Sequence, residues 1–222
     1  MSENSATAPD TIEDAIIAFR AGDPILAYDA ADRESEVDIV YPPHSVTSSD
    51  VARMRNDAGG LVCVALSHRV ATMLELPFIR DALDHPVASG ELQYDERSAT
   101  SLSVNHRDTF TGITDEDRGI TIRALSELAA DPTMEAFTEQ FRSPGHVRLL
   151  RASPNLLADR RGHTEFGIAL STAADRPPAA VVCEMLDDET GKALPPAAAR
   201  EYADRNGLVY VDMSELADDT IA

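Results

Sequence analysis

The sequence predicts an α/β (α+β) protein in which helices flank a mixed β-sheet core within one layered domain. Short apolar runs typical of strands alternate along the chain with amphipathic helical segments, as in layered α/β folds. The 222 residues are 43% hydrophobic, which is enough to form a substantial core. The sequence shows neither an internal repeat nor a linker long enough to separate two domains. We therefore expect one domain over residues 11–222, preceded by a flexible tail at residues 1–10.

The first half of the chain is predicted to form three helices and three strands. Thr11 can cap the first helix, TIEDAIIAFRAGD, and Gly22 can end it. PILAYDA and DIVYPP are predicted strands, and the acidic stretch between them suggests the turn of a hairpin. A helix in SSDVARMRNDAGG precedes the β-branched strand LVCVALS, and HRVATMLELP is the third helix. Residues 80–97 are polar and contain turn signals, so they are predicted to be irregular.

The second half is predicted to continue the alternation. SATSLSVNH alternates like a strand, and TDEDRGITIRALSELAADP is a helix that Thr114 can cap and that Pro132 follows. FRSPGHVRLLRASPN is predicted to hold one short strand between turns. The remaining predicted elements are a helix in RRGHTEFGIALSTAA, a strand in PPAAVVCEML, a helix in PPAAAREYADRNG, and a last strand and turn in LVYVDMSEL.

The charge balance is strongly acidic. Asp and Glu total 39, Lys and Arg total 19, and the formal net charge is −20. Lys192 is the only lysine. This balance argues against a nucleic-acid-binding protein, which needs a basic face. Few lysines with many carboxylates resemble the composition of proteins from salt-accumulating halophiles. Because cations screen self-repulsion at such a charge, we expect the fold to need molar salt.

The sequence carries no signal for a membrane or for export. No run of about 18 apolar residues is present, so no membrane span is predicted. The segment MSENSATAPDTIED lacks the basic and apolar regions of a signal peptide, and we expect a cytoplasmic protein. Cys63 and Cys183 lie in apolar strand-like runs, where two free buried thiols are expected rather than a disulfide.

The acidic stretch ADRESEVDIVY, residues 31–41, admits two interpretations. If it is extended, Glu34, Glu36 and Asp38 point to one face, and if it is helical, Glu34 and Asp38 still share a face. Like charges at that range repel unless a cation or a bound proton relieves them. The plain interpretation is a solvated acidic turn on an acidic protein. The sharper one is a site for a polar substrate and a divalent cation such as Mg²⁺, which prefers carboxylate oxygens.

Three further places carry residues typical of binding or catalysis. RRGHTE, residues 160–165, combines two arginines with a glycine at the start of a predicted helix, and helix N-termini bind phosphate. Within it, His163 has a ring nitrogen available to a metal. His146 follows a Pro-Gly turn, and Glu184 ends an apolar strand, where open α/β sheets place ligands. An ordinary loop histidine and an ordinary strand-end charge remain the alternatives.

Six motifs together resemble one enzyme family. DRESEVD, GGLVCVAL, TGITDEDR, SPGHV, RRGHTE and VVCEM occur in the order and approximate spacing of 3,4-dihydroxy-2-butanone 4-phosphate synthase, over roughly residues 12–216. The resemblance, to the single-function form, implies the synthase fold and a lyase of riboflavin biosynthesis. Such a lyase converts D-ribulose 5-phosphate into L-3,4-dihydroxy-2-butanone 4-phosphate and formate. It also implies Mg²⁺ or Mn²⁺ as cofactor and a homodimer whose active sites lie near the subunit interface, without nucleic acid or membrane as partner.

The resemblance also implies roles for individual residues. Glu34 and His163 are the implied metal ligands, and His146, Glu184 and Asp38 are the implied catalytic residues. The residues implied to bind substrate are Arg33, Glu34, Asp38, Cys63, Thr111, Arg160, Arg161, Gly162, His163, Thr164 and Glu184. The implied reaction comprises enolisation, dehydration, skeletal rearrangement and loss of one carbon. These steps move protons among neighbouring hydroxyls, which suits positioned carboxylates and a Lewis acid.

Two positions depart from the family pattern. Val37 and Arg161 stand where the family usually has glycine. A β-branched residue avoids positive φ, and Arg161 is strained if its position needs a left-handed backbone; otherwise it adds a cation for phosphate. These departures keep open an alternative, a non-catalytic protein on the same scaffold that binds a sugar phosphate. A different metal-dependent sugar-phosphate lyase or isomerase is the third hypothesis.

Overall fold

The computed structural model of the protein describes residues 11–31, 33–89, 95 and 97–215. A seven-stranded mixed sheet carries helices on both faces, which confirms the predicted fold class. The tail predicted at residues 1–10 lies outside the described residues, and so does Asp32. Across the described ranges, no helix is long and apolar enough to cross a membrane.

The sheet has both parallel and antiparallel neighbours. Its strands are β1 (Ile25–Tyr28), β2 (Val37–Tyr41), β3 (Cys63–Leu66), β4 (Thr100–His106), β5 (Phe141–Arg151), β6 (Ala179–Glu184) and β7 (Val209–Asp212). Their order across the sheet is β4-β5-β3-β6-β2-β1-β7. β3 runs parallel to β5, β1 runs parallel to β7, and the other neighbours are antiparallel. β1 and β2 form the predicted hairpin, with the acidic stretch in its connection.

The described helices are α1 (Ile12–Ala21), α2 (Ser48–Asn56), α3 (His68–Met73), α4 (Ile79–Ala82), α5 (Asp115–Ala130), α6 (Met134–Gln140), α7 (His163–Ala173) and α8 (Pro196–Asn206). Two of the helices, α1 and α5, begin at the threonine caps that the sequence indicates. Thr11 caps α1 in a reciprocal capping box with Asp14, and the side chain of Thr114 accepts from Asp117 N–H at the start of α5. Gly22 ends α1 at φ 99°, a left-handed conformation that glycine adopts without a Cβ penalty.

Both faces of the sheet are covered by buried apolar side chains. On one face, α1 and α7 contribute Phe19 and Phe166, which pack in the same cluster as Val40 and Val182 of the central strands. On the other face, α2, α5 and α8 supply the packing, and Ile122 of α5 is fully buried there. Because side chains alternate along a strand, successive residues of each central strand pack against the helices of opposite faces.

Three segments differ from the prediction. The first is the short helix α4 (Ile79–Ala82), which lies mostly in the stretch 80–97 that was predicted to be irregular. The stretch after α6 holds an 11-residue strand, β5, instead of one short strand between turns, because β5 pairs with β4 on one side and β3 on the other. Gly145 permits the close approach to β4, since a Cβ there would overlap the backbone of Val104. Helix α6 was not predicted, although its cap is present in the sequence: the Thr133 side chain accepts from Ala136 N–H at 3.1 Å.

Candidate active site

A pocket of about 390 Å³ lies where the β1–β2 connection meets the start of α7. The predicted site residues that line it are Arg33, Glu34, Asp38, Cys63, Arg160, His163, Thr164 and Glu184. Glu36 lines it as well. The acidic stretch, residues 31–41, and the RRGHTE segment, residues 160–165, therefore meet in one pocket although they are far apart in the sequence.

Two carboxylates face each other across neighbouring strands at the floor of this pocket. Asp38 of β2 and Glu184 of β6 are register partners, and both follow the side-chain row of Val40 and Val182, on the sheet face that α7 covers. Asp38 is 3% exposed, and its Oδ1 is buried without a hydrogen-bond partner among the described residues. Burial and the neighbouring Glu184 raise the pKa of Asp38 well above its usual value.

His163 is the first residue of α7 and is buried beside Asp38. Its Nε2–H donates to the carbonyl oxygen of Ala27 at 3.0 Å, because a carbonyl can only accept. Nδ1 therefore keeps a lone pair and lies 3.5 Å from Oδ1 of Asp38. Burial lowers the pKa of His163 to about 4, so the ring is a neutral imidazole at neutral pH. A neutral imidazole nitrogen is the form that binds a metal ion.

Asp29 holds the acidic stretch in place, although the sequence analysis gave it no role. Its side chain is fully buried, with Oδ2 accepting the N–H of Glu34 and Oδ1 accepting the N–H of Glu36, both at 3.1 Å. Ser35 between them has a left-handed backbone, at φ 56°. Ligand atoms of Asp29, Glu34 and His163 all lie within 4.8 Å of one another, close enough to hold a metal ion. An Asp directly after a strand is typical of side chains that accept from the following backbone, and that signal was available.

The other carboxylates of the stretch share a crowded, partly buried environment. Burial, followed by the neighbouring Glu34, raises the pKa of Glu36 to about 7. Burial also raises the pKa of Glu34, against the attraction of Arg160 and Arg33. Arg33 lies 3.6 Å from Asp29 and 3.7 Å from Glu34, so it offsets part of the negative charge. Carboxylates held this close create a site that a divalent cation stabilises.

Arg160 is fixed at the wall of the pocket by two acidic partners. Its Nε lies 2.5 Å from Asp95, and its Nη1 donates to Glu165 at 2.8 Å. Glu165 is fully buried and also accepts the N–H of Ser153 at 3.0 Å. Gly162 allows this arrangement, since a Cβ there would overlap the Arg160 guanidinium. Glu165 is the last residue of RRGHTE, but its role depends on a distant loop and was not predicted.

Both departures from the family pattern are accommodated without backbone strain. Val37 is the first residue of β2 and is fully buried in extended backbone. Arg161 is absent from the described non-glycine residues with positive φ, which are Ser35, Glu75, Leu156 and Asp175. Its Nη2 donates to the carbonyl oxygen of Met213 at 3.1 Å, and its side chain lines a neighbouring cavity rather than this pocket. The strain considered for Arg161 is therefore not observed.

Four predicted site residues are not among those that line the pocket: Arg161 and Gly162 of the RRGHTE segment, and His146 and Thr111, which lie elsewhere on the chain. His146 on β5 and Thr111 in the β4–α5 connection are both exposed, and neither is among the described residues that line the pocket. They meet at Asn105, whose Nδ2 donates to the Thr111 carbonyl at 3.3 Å and lies 3.2 Å from His146 Nδ1. Phe110 beside them is 93% exposed. Most of the predicted site residues thus lie in the pocket, Arg161 and Gly162 lie next to it in the RRGHTE segment, and His146 and Thr111 lie together on the surface.

Cys63 completes the pocket floor on β3. It is 3% exposed, and burial raises the pKa of its thiol, which stays neutral at neutral pH. It therefore lines the pocket as a small apolar group rather than as a nucleophile. Cys183 is also buried, and both cysteines are free, as expected.

The fold and the pocket define a class. The pocket brings together buried carboxylates, a neutral histidine, a fixed arginine and the N-terminus of a helix. Such a set of groups suits a small anionic polyol that is held together with a divalent cation. Comparisons with known proteins specify the family. The family model described as 3,4-dihydroxy-2-butanone 4-phosphate synthase matches residues 13–218. The chain therefore belongs to that family.

Relatives and solved structures agree along nearly the whole chain. A 3,4-dihydroxy-2-butanone 4-phosphate synthase of Archaeoglobus fulgidus is 47% identical over 213 residues, covering 90% of each chain. That of Methanosarcina mazei is 43% identical and covers 98% of this chain and 96% of the relative. The crystal structure of the Candida albicans synthase matches with a TM-score of 0.78 at 31% identity, covering 94% of this chain and 96% of that one. A synthase structure in complex with two magnesium ions matches with a TM-score of 0.76 at 32% identity, covering 92% and 94%.

Proposed function

We propose that the protein is a lyase that converts D-ribulose 5-phosphate into L-3,4-dihydroxy-2-butanone 4-phosphate and formate, in riboflavin biosynthesis. The observation that carries the proposal is the pocket in which Asp38 and Glu184 face each other beside the neutral ring of His163. The family match makes the alternative of a non-catalytic binding protein less favoured. Carbon, hydrogen and oxygen balance, since the four-carbon product and formate together contain all atoms of the substrate.

The residues of the pocket fit a divalent cation, which we propose to be Mg²⁺ or Mn²⁺. Glu34 offers carboxylate oxygens and His163 offers Nδ1, while Asp29 lies in the same cluster. Asp38 Oδ1 is buried and unpartnered, which favours a cation or a substrate hydroxyl nearby. When bound, the cation supplies a Lewis acid for the ketone and hydroxyl oxygens of the substrate.

The substrate phosphate binds at the start of α7. The free N–H groups of the first turn and the positive end of the helix dipole attract the phosphate, and the Thr164 hydroxyl lies there. Arg160 adds a guanidinium whose direction is set by Asp95 and Glu165. Arg161 and Gly162 belong to the same segment. Holding the phosphate at this end fixes an open-chain sugar with its reacting carbons toward the strands.

Asp38 and Glu184, the two facing carboxylates, transfer protons during the proposed reaction. Burial and the neighbouring Glu184 raise the pKa of Asp38, which favours its protonated form and suits it to exchange a proton with a substrate hydroxyl. Glu184 lies across from it and is half-buried, able to take the proton next to the ketone and return it later. Arg33 and Cys63 line the same pocket and restrict the substrate to one orientation.

We also propose that the active protein is a homodimer in which the partner's His146 and the partner's Thr111 complete the site. Within one chain, these residues are exposed and lie outside the pocket, beside the exposed apolar side chains of Phe110 and Ile113. Exposed apolar groups of this size favour contact with another protein surface. A closed two-fold pair brings one chain's surface group to the other chain's pocket.

The cellular location and the salt requirement of the protein are also part of the proposal. We propose a cytoplasmic enzyme with a strongly acidic surface, and its need for molar salt remains a prediction from the net charge of −20. Full thermal stability at about 50 mM salt, where charge repulsion is screened much less, would contradict that prediction.

The direct test is release of formate. Purified protein in molar KCl receives ribulose 5-phosphate and Mg²⁺, with and without EDTA, and formate is measured. We expect formate that depends on the metal, together with the four-carbon phosphate by mass spectrometry. A folded protein that binds the substrate and releases no formate would favour the binding protein instead. A different phosphorylated product would indicate another lyase or an isomerase.

A further inference from the structure

A second cavity, of about 790 Å³, lies beside the pocket and is unusually rich in arginine. Its charged lining consists of Arg33, Arg97, Arg151, Arg160 and Arg161, together with Asp95, Asp159 and Glu165. The lining thus holds five arginines and three carboxylates, in a chain whose net charge is −20, and Arg33 and Arg97 also pair with carboxylates outside the lining, Asp29 and Asp81. Arg33 and Arg160 also line the pocket, so the two cavities are neighbours.

The carboxylates of this cavity are already engaged. Asp95 and Glu165 both pair with Arg160, at 2.5 and 2.8 Å. Asp159 accepts the backbone N–H of Asn155 at 2.9 Å and its side-chain amide at 3.1 Å. Asp95 and Glu165 are thus paired with Arg160, whereas the hydrogen bonds from Asn155 hold Asp159 in place and leave its negative charge.

Arg151 of this lining is held by a backbone carbonyl group. Its Nη1 donates to the carbonyl oxygen of Leu76, and its Nε is buried without a hydrogen-bond partner in the described part of the chain. No ion pair of Arg151 with a carboxylate is found among the described residues, although the side chain is half-buried. Burial, followed by the nearby Arg97, lowers the pKa of Arg151, and the attraction of the nearby Asp81 offsets this only in part.

Arg97 is held next to Arg151 by a shared aromatic ring. The guanidinium carbons of Arg97 and Arg151 lie 3.4 and 4.3 Å from the centroid of the Phe78 ring. Contact with the ring stabilises each cation but leaves their mutual repulsion in place. The only carboxylate paired with Arg97 in the described ranges is Asp81, whose side chain is 59% exposed. An anion between the two guanidinium groups would relieve the repulsion.

We propose that this cavity is a second anion site, which binds the phosphate group of a small molecule through Arg151, with Arg97 and Arg161 beside it. Guanidinium groups match phosphate oxygens with two parallel hydrogen bonds, so the buried Nε of Arg151 gains a partner. The site is distinct from the substrate pocket because Arg151, Arg97 and Arg161 do not line that pocket. The phosphate group can be free phosphate or a phosphate ester.

Equilibrium dialysis with radiolabelled inorganic phosphate tests the proposal. It is run at the lowest KCl concentration at which circular dichroism shows a folded protein, because salt weakens anion binding. We expect two phosphates per wild-type chain, one in the pocket and one in the second cavity, and the loss of one in Arg151→Met. Arg151→Lys, which keeps the charge without the planar fork, should bind this phosphate about tenfold more weakly. Arg69→Gln, at an exposed position outside both cavities, is the matched control and should keep both.

Two further measurements cover the case in which Arg151→Met does not fold and the question of which phosphate compound binds. If Arg151→Met does not fold, Arg97→Gln, at an exposed position of the same cavity, should weaken the same phosphate while the other remains. A parallel titration with adenosine monophosphate asks whether an ester binds there: displacement of the Arg151-dependent phosphate identifies an ester site, and no displacement identifies a site for free phosphate. Phosphate binding that is unchanged in both Arg151→Met and Arg97→Gln would overturn the proposal.

Discussion

The pocket differs from the exposed group of His146, Thr111 and Asn105, here called the His146 surface, in how its side chains are held. In the pocket, groups of the same chain hold several functional residues: Asp29 holds the acidic stretch, Ala27 orients His163, and Asp95 and Glu165 hold Arg160. On the surface, His146 contacts Asn105 but faces outward among exposed apolar side chains. The side chains of one region are held within the chain, whereas those of the other face outward. This difference supports the proposal that the pocket takes its histidine from His146 of the partner subunit.

The largest effect is expected in the pocket, from Glu184→Gln. Glutamine keeps the shape of the side chain but cannot take a proton, so turnover should fall about 1,000-fold while substrate affinity stays within a few-fold. Formate release and isothermal titration with the substrate measure the two quantities. Glu189→Gln, an exposed change shortly after β6, is the control. Lost binding with normal turnover at saturation would make Glu184 a binding residue only.

A somewhat smaller effect is expected on the surface, from His146→Ala. If the exposed histidine acts in the partner's pocket, turnover should fall about 100-fold without a change in folding or in Mn²⁺ binding. His85→Ala, another exposed histidine, should leave turnover unchanged. Normal turnover in His146→Ala would show that the surface group has no part in the reaction, and the contrast between the two regions would then lose its functional meaning.

An intermediate effect is expected from Asp29→Asn, which tests how the pocket is held. Both carboxylate oxygens of Asp29 accept backbone N–H groups, and asparagine would turn an NH₂ group toward one of them. The Mg²⁺ concentration that gives half-maximal formate release should rise about tenfold. Asp23→Asn, at an exposed position before β1, is the matched control. An unchanged metal requirement would mean that the acidic stretch keeps its form without Asp29.

The smallest effects on turnover are expected from Val37→Gly and Arg161→Gly, which restore the glycines usual in the family. Neither position has a positive φ, so glycine relieves no strain, and turnover should change less than about twofold. Val37→Gly should instead lower the free energy of unfolding by roughly 2 kcal/mol, since Val37 is fully buried in β2. Thermal unfolding and formate assays check both. A large gain in turnover would show that these residues restrain the pocket.

The sequence predicted most of the fold because its signals are local. Thr11 and Thr114 begin helices where their side chains accept from the first turn, and the β1–β2 hairpin follows from two apolar runs around an acidic turn. The length of β5 was not predictable in this way. It depends on pairing with β4 and β3, and Gly145 matters only because β4 lies against it.

The site was predictable only in part, for the same reason. The motifs led to Glu34, Asp38 and His163 because their residue types carry metal and proton chemistry. The supporting residues Asp29 and Glu165 act through backbone N–H groups and a guanidinium that approach only after folding. The spacing of the motifs likewise did not predict that His146 lies away from the pocket of its own chain.

The most direct test of the account combines the two regions in one dimer. Glu184→Gln and His146→Ala chains carrying different tags are refolded together, and dimers with both tags are purified. A dimer of this kind has one pocket with Glu184 that faces the intact His146 of the partner subunit. We predict that its formate release recovers to about half of the wild-type value, since one of two sites is intact. Purified mixed dimers no more active than either parent would contradict the account and place both groups in the same chain's reaction.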